Sequence, residues 1–283
     1  MLTKSHAPSG TLAGQLAALT LAPLDPRPSV VLALVAGATA GALLPDTDHH
    51  SSSPARMWGP VTQVPCAWIG RAAGGHREWT HDVSRGAPIG FAGAFLLCLV
   101  APLLAGAAGA WHWLDVLSDG LGAVAIALVT GLALIGVDAW CACMQDVRPP
   151  RWLCRLLRVR YSSFRWPRID AGTNAALSWL TALAVVGTYP GGLPVTVIAA
   201  IVGGVLIGVP AGIAGDACTL SGVPWRGQDR HLLPYGWRIR TGSDVETKVR
   251  VPILIAVTLL AWVLIGHPGT ELLTQLPDAQ ASR

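Results

Sequence analysis

The fold class this chain predicts is all-α, a polytopic membrane helical bundle of about six to seven apolar segments with long cytoplasmic loops. Three observations predict it: an apolar composition, uncharged stretches near bilayer length, and basic residues crowded onto one set of connectors. Hydrophobic residues are 52% of the 283 and charged residues only 13%, and the mean hydropathy is +0.50. These values lie outside the range of soluble globular domains.

A helix rising about 1.5 Å per residue needs roughly 20 apolar residues to cross a hydrocarbon core about 30 Å thick. Residues 87–110, 121–137, 174–189, 193–214 and 252–266 meet or approach that length without one Asp, Glu, Lys, Arg or His. Residues 11–24 and 29–44 are also free of them, but are shorter and separated by Asp25-Pro26-Arg27-Pro28. Proline lacks the amide proton a helix interior needs, so these two read as a hairpin whose first arm penetrates part way. Lys4 before a short apolar run also fits a cleaved signal peptide, but no small-x-small site precedes a polar start, so the segment is read as retained.

Seven segments put the amino terminus and the connectors 45–86, 138–173 and 215–250 on one side. That side collects 18 of the 20 basic residues, leaving Arg27 and Arg283 opposite. By the positive-inside rule it is cytoplasmic. Trp111, Trp113, Trp140, Trp166, Trp179 and Trp262 stand near or within segment ends, as interfacial belts require. The whole chain, 1–283, reads as one integral membrane domain, with an Arg-rich connector at 138–173 whose cluster Arg148 to Arg168 suits anchoring to anionic lipid.

The net charge of +4 does not call for nucleic acid, because arginines flanking apolar helices already explain it. Six cysteines, at 66, 98, 141, 143, 154 and 218, contain no CxxC pair, and most would face cytoplasm or lipid as reduced thiols.

Chemistry concentrates in one connector. Asp46 and Asp48 directly follow an apolar segment, and Pro45 stops the helix so that both carboxylates lie at the membrane surface. His49 and His50 extend the cluster, and His76 and His81 follow. Five residues apart on a regular helix would set the last two about 140° from one another, so they converge from a turn that Gly74 and Gly75 permit. Any one of these groups alone reads as a solvated side chain or a cap. Together, at the mouths of apolar segments, they read as ligands for a divalent metal. Oxygen and imidazole donors suit zinc, manganese, iron or magnesium without choosing among them, and zinc is taken as the first expectation, with manganese or magnesium next. Between them, residues 57–69 carry Trp58, Val61, Val64, Trp68 and Ile69, which fits an interfacial amphipathic helix or an irregular lid. His112, Asp115 and Asp119 lie at the opposite end of the layout and read as a wet helix start.

The run Leu-Leu-Pro-Asp-Thr-Asp-His at 43–49, the run His-Arg-Glu-Trp-Thr-His at 76–81, and Asp216 followed by Thr219 and Gly222-Val223-Pro224 resemble the YdjM family of LexA-regulated, inner-membrane metal-dependent hydrolases. In that family the blocks look like Leu-Leu-Pro-Asp-Ile-Asp-His, His-Arg-Gly-x-Thr-His and Asp-x-x-Thr-x-x-Gly-Val-Pro, with an isolated His near the amino terminus, a place His6 takes here. The resemblance covers residues 1–90 and 209–245. It implies a metal site of His6, Asp46, Asp48, His49, His76, His81 and Asp216, with Arg77 and Thr80 as motif companions beside the chemistry. Asp48 is then a second-metal ligand or a general base. The family usually has a His four positions before its last Asp, whereas this chain has Gly212, which leaves one metal position missing or filled by water; Asp82, where the family commonly has Ser, adds a compensating charge.

The expected function is a membrane-embedded, metal-dependent hydrolase working at the cytoplasmic surface. Arg77, Arg85, Arg226 and Arg230 near headgroup level favour a phosphorylated lipid or other amphiphile as substrate. A metal-ion binding or transport protein uses the same ligands differently, though no ionisable group lies inside an expected span. A noncatalytic membrane scaffold that retains the loop motifs is the third reading.

Overall fold

The computed structural model describes residues 3–21, 27–109, 112–143, 168–225, 228–241 and 243–275. Among them the chain forms eight α-helices: α1 (Thr3–Leu21), α2 (Pro28–Leu43), α3 (Pro60–Ala72), α4 (Ala87–Ala107), α5 (His112–Cys143), α6 (Ala171–Thr188), α7 (Val195–Ala217) and α8 (Asp244–Gln275). The only paired strands there, β1 (Val223–Trp225) and β2 (Gln228–Arg230), make an antiparallel ribbon with Val223 opposite Arg230. The fold is helical, as composition predicts.

Among the described residues, four stretches are long and apolar enough to cross a membrane: Pro28–Asp48, Ala87–Ala107, Leu114–Ala142 and Val195–Ala217. The remaining apolar segments lie within α1, α6 and α8, which are more polar. Lys4, Ser5, His6 and Ser9 occupy the first half of α1, Asn174 and Ser178 lie in α6, and α8 opens with Asp244, Glu246, Lys248 and Arg250.

The central contact joins α2 and α7. A Cβ on Gly208 would stand 2.1 Å from the Ala38 carbonyl oxygen, and one on Gly212 would stand 2.4 Å from that of Ala42. Gly204, Gly208 and Gly212 recur every four residues and so share one face of α7. With no side chain there, two backbones approach closely and gain dispersion and weak hydrogen bonding, the usual route to helix pairing where lipid removes any hydrophobic drive. Around this pair, Leu43, Leu99, Val205 and Val209 are buried in the core. Helix α1 packs across both α2 and α7, while α4, α5 and α6 form the other flank.

Arg27 Nη2 donates to Thr196 Oγ1 at 3.1 Å, which brings the starts of α2 and α7 together at one end. Their last residues then meet at the other. There the chain leaves α2 through a 3-10 turn, Pro45–Asp48, and α3 packs upon it with Thr62, Cys66 and Gly70 inward. The stretch 57–69 is therefore a helix over most of its length. Val61, Val64 and Trp68 are exposed on its outer side, and Pro60 occupies the first turn, where its missing amide proton is not needed. Residues 144–167 and Arg226 lie outside the described residues, and with them most of the Arg-rich connector; Arg168 pairs with Asp138 at 2.7 Å.

Candidate metal centre

Four elements deliver the site. His6 comes from the second turn of α1, Asp46 and Asp48 from the 3-10 turn after α2, His81 from a short 3-10 turn, Trp79–His81, and Asp216 from the last turn of α7. Gly74 at φ 91°, Gly75 at φ 127° and Arg77 at φ 67° bend the chain between α3 and the 79–81 turn. The left-handed region is unusual for Arg, and it directs the Arg77 amide at Asp48 Oδ2, 3.0 Å away. His76 and His81 converge from this turn, with ring centroids 5.3 Å apart.

One face of His81 meets a compact group. Its Nε2 lies 3.3 Å from Asp216 Oδ2 and 3.8 Å from Asp46 Oδ1. His6 Nε2 lies 3.5 Å from Asp216 Oδ2 and 3.9 Å from Asp46 Oδ2. His6, His81 and Asp216 are buried, and neither nitrogen of His6 nor Nε2 of His81 has a hydrogen-bond partner. Buried imidazole nitrogens are ordinarily paired. Ligands about 2.0–2.2 Å from a tetrahedral zinc ion stand roughly 3.3–3.6 Å from one another, so the His6, Asp46, His81 and Asp216 donors fit a small divalent cation.

The other face of His81 is already satisfied. Its Nδ1 is 3.1 Å from Thr80 Oγ1, and that hydroxyl donates to Asp48 Oδ2 at 2.5 Å. With the Thr80 proton given to the carboxylate, the neutral form of His81 carries its hydrogen on Nδ1 and presents the Nε2 lone pair to the cluster. Asp48 also accepts from His76 Nδ1 at 2.7 Å and from the Arg77 amide, and its side chain has no solvent exposure. Asp48, His76 and His81 could form a second ligand group by proximity. Their hydrogen bonds instead make Asp48 the carboxylate that orients two imidazoles, the arrangement that commonly backs a metal-binding His.

Charge sets the state of the imidazoles. Burial pushes His6 down, but Asp46 and Asp216 outweigh it and the net shift is upward. Burial likewise opposes the charge on His81, yet Asp216, Asp46 and Asp48 together raise it to about 10. Both imidazoles thus hold a proton more firmly than a free His, and a cation held by the same residues would have to displace it.

Other expected residues are placed differently. Arg77 donates from Nη2 to Asp216 Oδ1 and from Nη1 to the Gly222 carbonyl, each at 3.1 Å, so it braces two ligand-bearing segments. His49 keeps its Nδ1 within 3.0 Å of Ser51 Oγ and sets its ring edge-on to His76, away from the four-residue group. Asp82 does not compensate for Gly212: one of its oxygens accepts from Ser84 N and Oγ and from Arg85 N, capping the following turn. Gly212 is no vacated ligand position, because its missing side chain would point into the α2 backbone. Arg85 pairs with Asp82 at 3.3 Å.

Sequence reasoning did not single out Glu246. It is buried in the first turn of α8 and accepts from Ser5 Oγ at 2.7 Å, tying α8 to the residue before His6. A carboxylate opening a helix looks ordinary in sequence, and only the packing marks this one. A groove of about 640 Å³ lined by Asp48, His50, Gly70, Arg71, Gly74 and Gly75 reaches the same end of the molecule.

No curated protein and no solved structure matches the chain. The family model described as "YdjM inner membrane protein" matches residues 1–144, half of the chain, which takes in His6, the 45–48 turn, the 76–81 run and α4 and α5, and stops short of Asp216. With the same residues meeting around one buried point, the chain belongs to the YdjM inner membrane protein family.

Proposed function

We propose that this protein is a membrane-embedded, metal-dependent hydrolase with its site at the cytoplasmic membrane surface, acting on a phosphorylated lipid or another amphiphile. The observation that carries this reading is the buried meeting of His6, Asp46, His81 and Asp216, with imidazole nitrogens that lack any other partner. These four residues would hold a divalent cation, zinc first among the candidates, which would lower the pKa of a bound water toward neutrality.

The surrounding residues divide the remaining work. Thr80 and Asp48 hold His81 in the tautomer that presents Nε2. Asp48 has its oxygens engaged by three donors, which suits orientation better than proton abstraction. His76 is fixed through Nδ1 by Asp48 and is 40% exposed, which leaves its other nitrogen open to a bound substrate. We assign it the transfer of the proton from the attacking water to the departing alcohol as the ester bond breaks and the new bond to water oxygen forms. Arg77 is a brace within this scheme.

The helices that carry the ligands begin or end at a common end of the bundle, and the basic connectors flank that end. On this basis the chain is multi-pass with its long loops in the cytoplasm.

Metal analysis of detergent-purified protein tests the reading. Wild type carries stoichiometric metal; His81→Ala and Asp216→Ala lose it; His76→Ala retains it but loses turnover of phosphodiester and lipid ester substrates. Metal without turnover across that panel favours an ion-binding protein, and protein without metal favours a scaffold.

A further inference from the structure

A second cavity, separate from the polar groove, lies between the end of α7 and the β1–β2 ribbon. Its volume is about 190 Å³, and its walls are mostly apolar, with Val83, Pro210, Ile213, Ala217, Val223 and Leu232 among them. His81 also lines it, and this is the same side chain whose Nε2 faces Asp46 and Asp216. Anything that fills the cavity to that wall therefore rests against the candidate metal centre. Arg230, exposed, and His231, half-buried, stand at its edge.

The cavity also adjoins the surface that faces hydrocarbon. Ile207, Pro210 and Ala214 follow one another at helical spacings of three and four on α7, so they share a stripe. Ile207 and Ala214 are exposed in the protein, and all three lie within the candidate span Val195–Ala217. Pro210 and Ala214 are at once part of that stripe and part of the cavity wall. An apolar chain in the adjacent leaflet reaches the cavity by moving sideways, without passing through water.

We infer that this cavity is the apolar-chain subsite of the hydrolase, occupied by the hydrocarbon tail of an amphiphile that arrives laterally from the bilayer. The inference rests on the hydrolase reading and adds to it the part of the substrate that is recognised. A tail moving from lipid into an apolar wall gains little of the burial free energy that leaving water would provide. The cavity then acts by position: a seated tail sets its headgroup at the level of His81, Arg230 and His231.

Photolabelling tests this without relying on turnover. Protein reconstituted in phosphatidylcholine vesicles is irradiated with dodecyl phosphate carrying a diazirine near the end of its chain, and labelled peptides are mapped by mass spectrometry. The expected result is labelling within residues 210–217 and 223–232, reduced at least fivefold in both Ala214→Trp and Leu232→Trp, two fillings from different walls. Retained metal content reports that each variant is folded. Labelling restricted to outward residues such as Leu97 of α4, or cavity labelling unchanged by both fillings, overturns the proposal. Failure of the hydrolase reading looks different: wild type lacks metal or turnover, whatever the labelling pattern.

Discussion

At the scale of single residues, the carboxylates set the charge of the imidazoles, and a cation in the site would have to compete with their protons. His6 and His81 are both raised by the carboxylates around them, His81 to about 10, so His81 is protonated at neutral pH. A group raised in the folded state stabilises fully below its unfolded value, near 6.5, and loses that contribution as pH climbs through the folded value. A cation taking the place of the His81 proton would bind more tightly as pH rises, by about tenfold per unit for that one proton. Competition with a chromophoric chelator at pH 6.5 and 7.5 measures it; equal affinities would contradict the assignment of His81 as a ligand. Thr80→Val removes the hydroxyl between His81 and Asp48 and should weaken metal binding about 10- to 100-fold at nearly unchanged volume. Arg77→Lys should cost affinity too, since one ammonium does not reproduce contacts to both Asp216 and the Gly222 carbonyl. Thr80 and Arg77 were legible as companions of a His-rich run, but their hydrogen-bond partners were not, because Asp216 lies 139 residues from Arg77.

At the scale of elements, glycine decides how closely helices approach and so where ligands sit. Gly70 of α3 has no room for a Cβ, which would stand 2.3 Å from the Asp48 carbonyl oxygen. Gly70→Ala must therefore push α3 off the 45–48 turn, and metal affinity should fall together with thermal stability. Gly208→Ala, remote from any ligand, should destabilise by roughly 1–3 kcal/mol through overpacking alone. Thermal unfolding in detergent with and without added zinc separates the two, since only Gly70→Ala should lose zinc stabilisation. Gly212→His, which would restore the residue the family resemblance expects, should behave like Gly208→Ala and gain no metal. The helical character of nearly every apolar segment was readable from the absence of charge over 15 or more residues. The form of residues 57–69 was not, because Pro60 and Pro65 suit a turn as readily as the first turns of a short helix.

At the scale of the whole molecule, α1, α2 and α7 bring three sequence-distant blocks to one end of the bundle, and α8 is latched to α1 through Ser5 and Glu246. Glu246→Gln keeps the shape but removes the charge that accepts from Ser5, the residue before His6, and should weaken metal binding less than Asp216→Asn, which alters a proposed ligand. Reporter fusions test orientation: a cytoplasm-dependent reporter inserted within residues 148–168 should be active and a periplasm-dependent one silent. The reverse result would place the metal site on the outer face.

Composition and pattern alone determined that this chain is a helical membrane protein of the YdjM family with a His- and Asp-rich end, because hydrophobic length and local motifs are properties of contiguous residues. They could not decide which members of those motifs share a point in space. Only the tertiary structure separates His6, Asp46, His81 and Asp216, whose donors converge, from Asp48 and His76, which hydrogen-bond to each other, and from His49 and Asp82, which serve local turns. The physical reason is that side chains a few residues apart diverge around a turn, while close packing of α1, α2 and α7 along small residues brings distant ones within coordination distance.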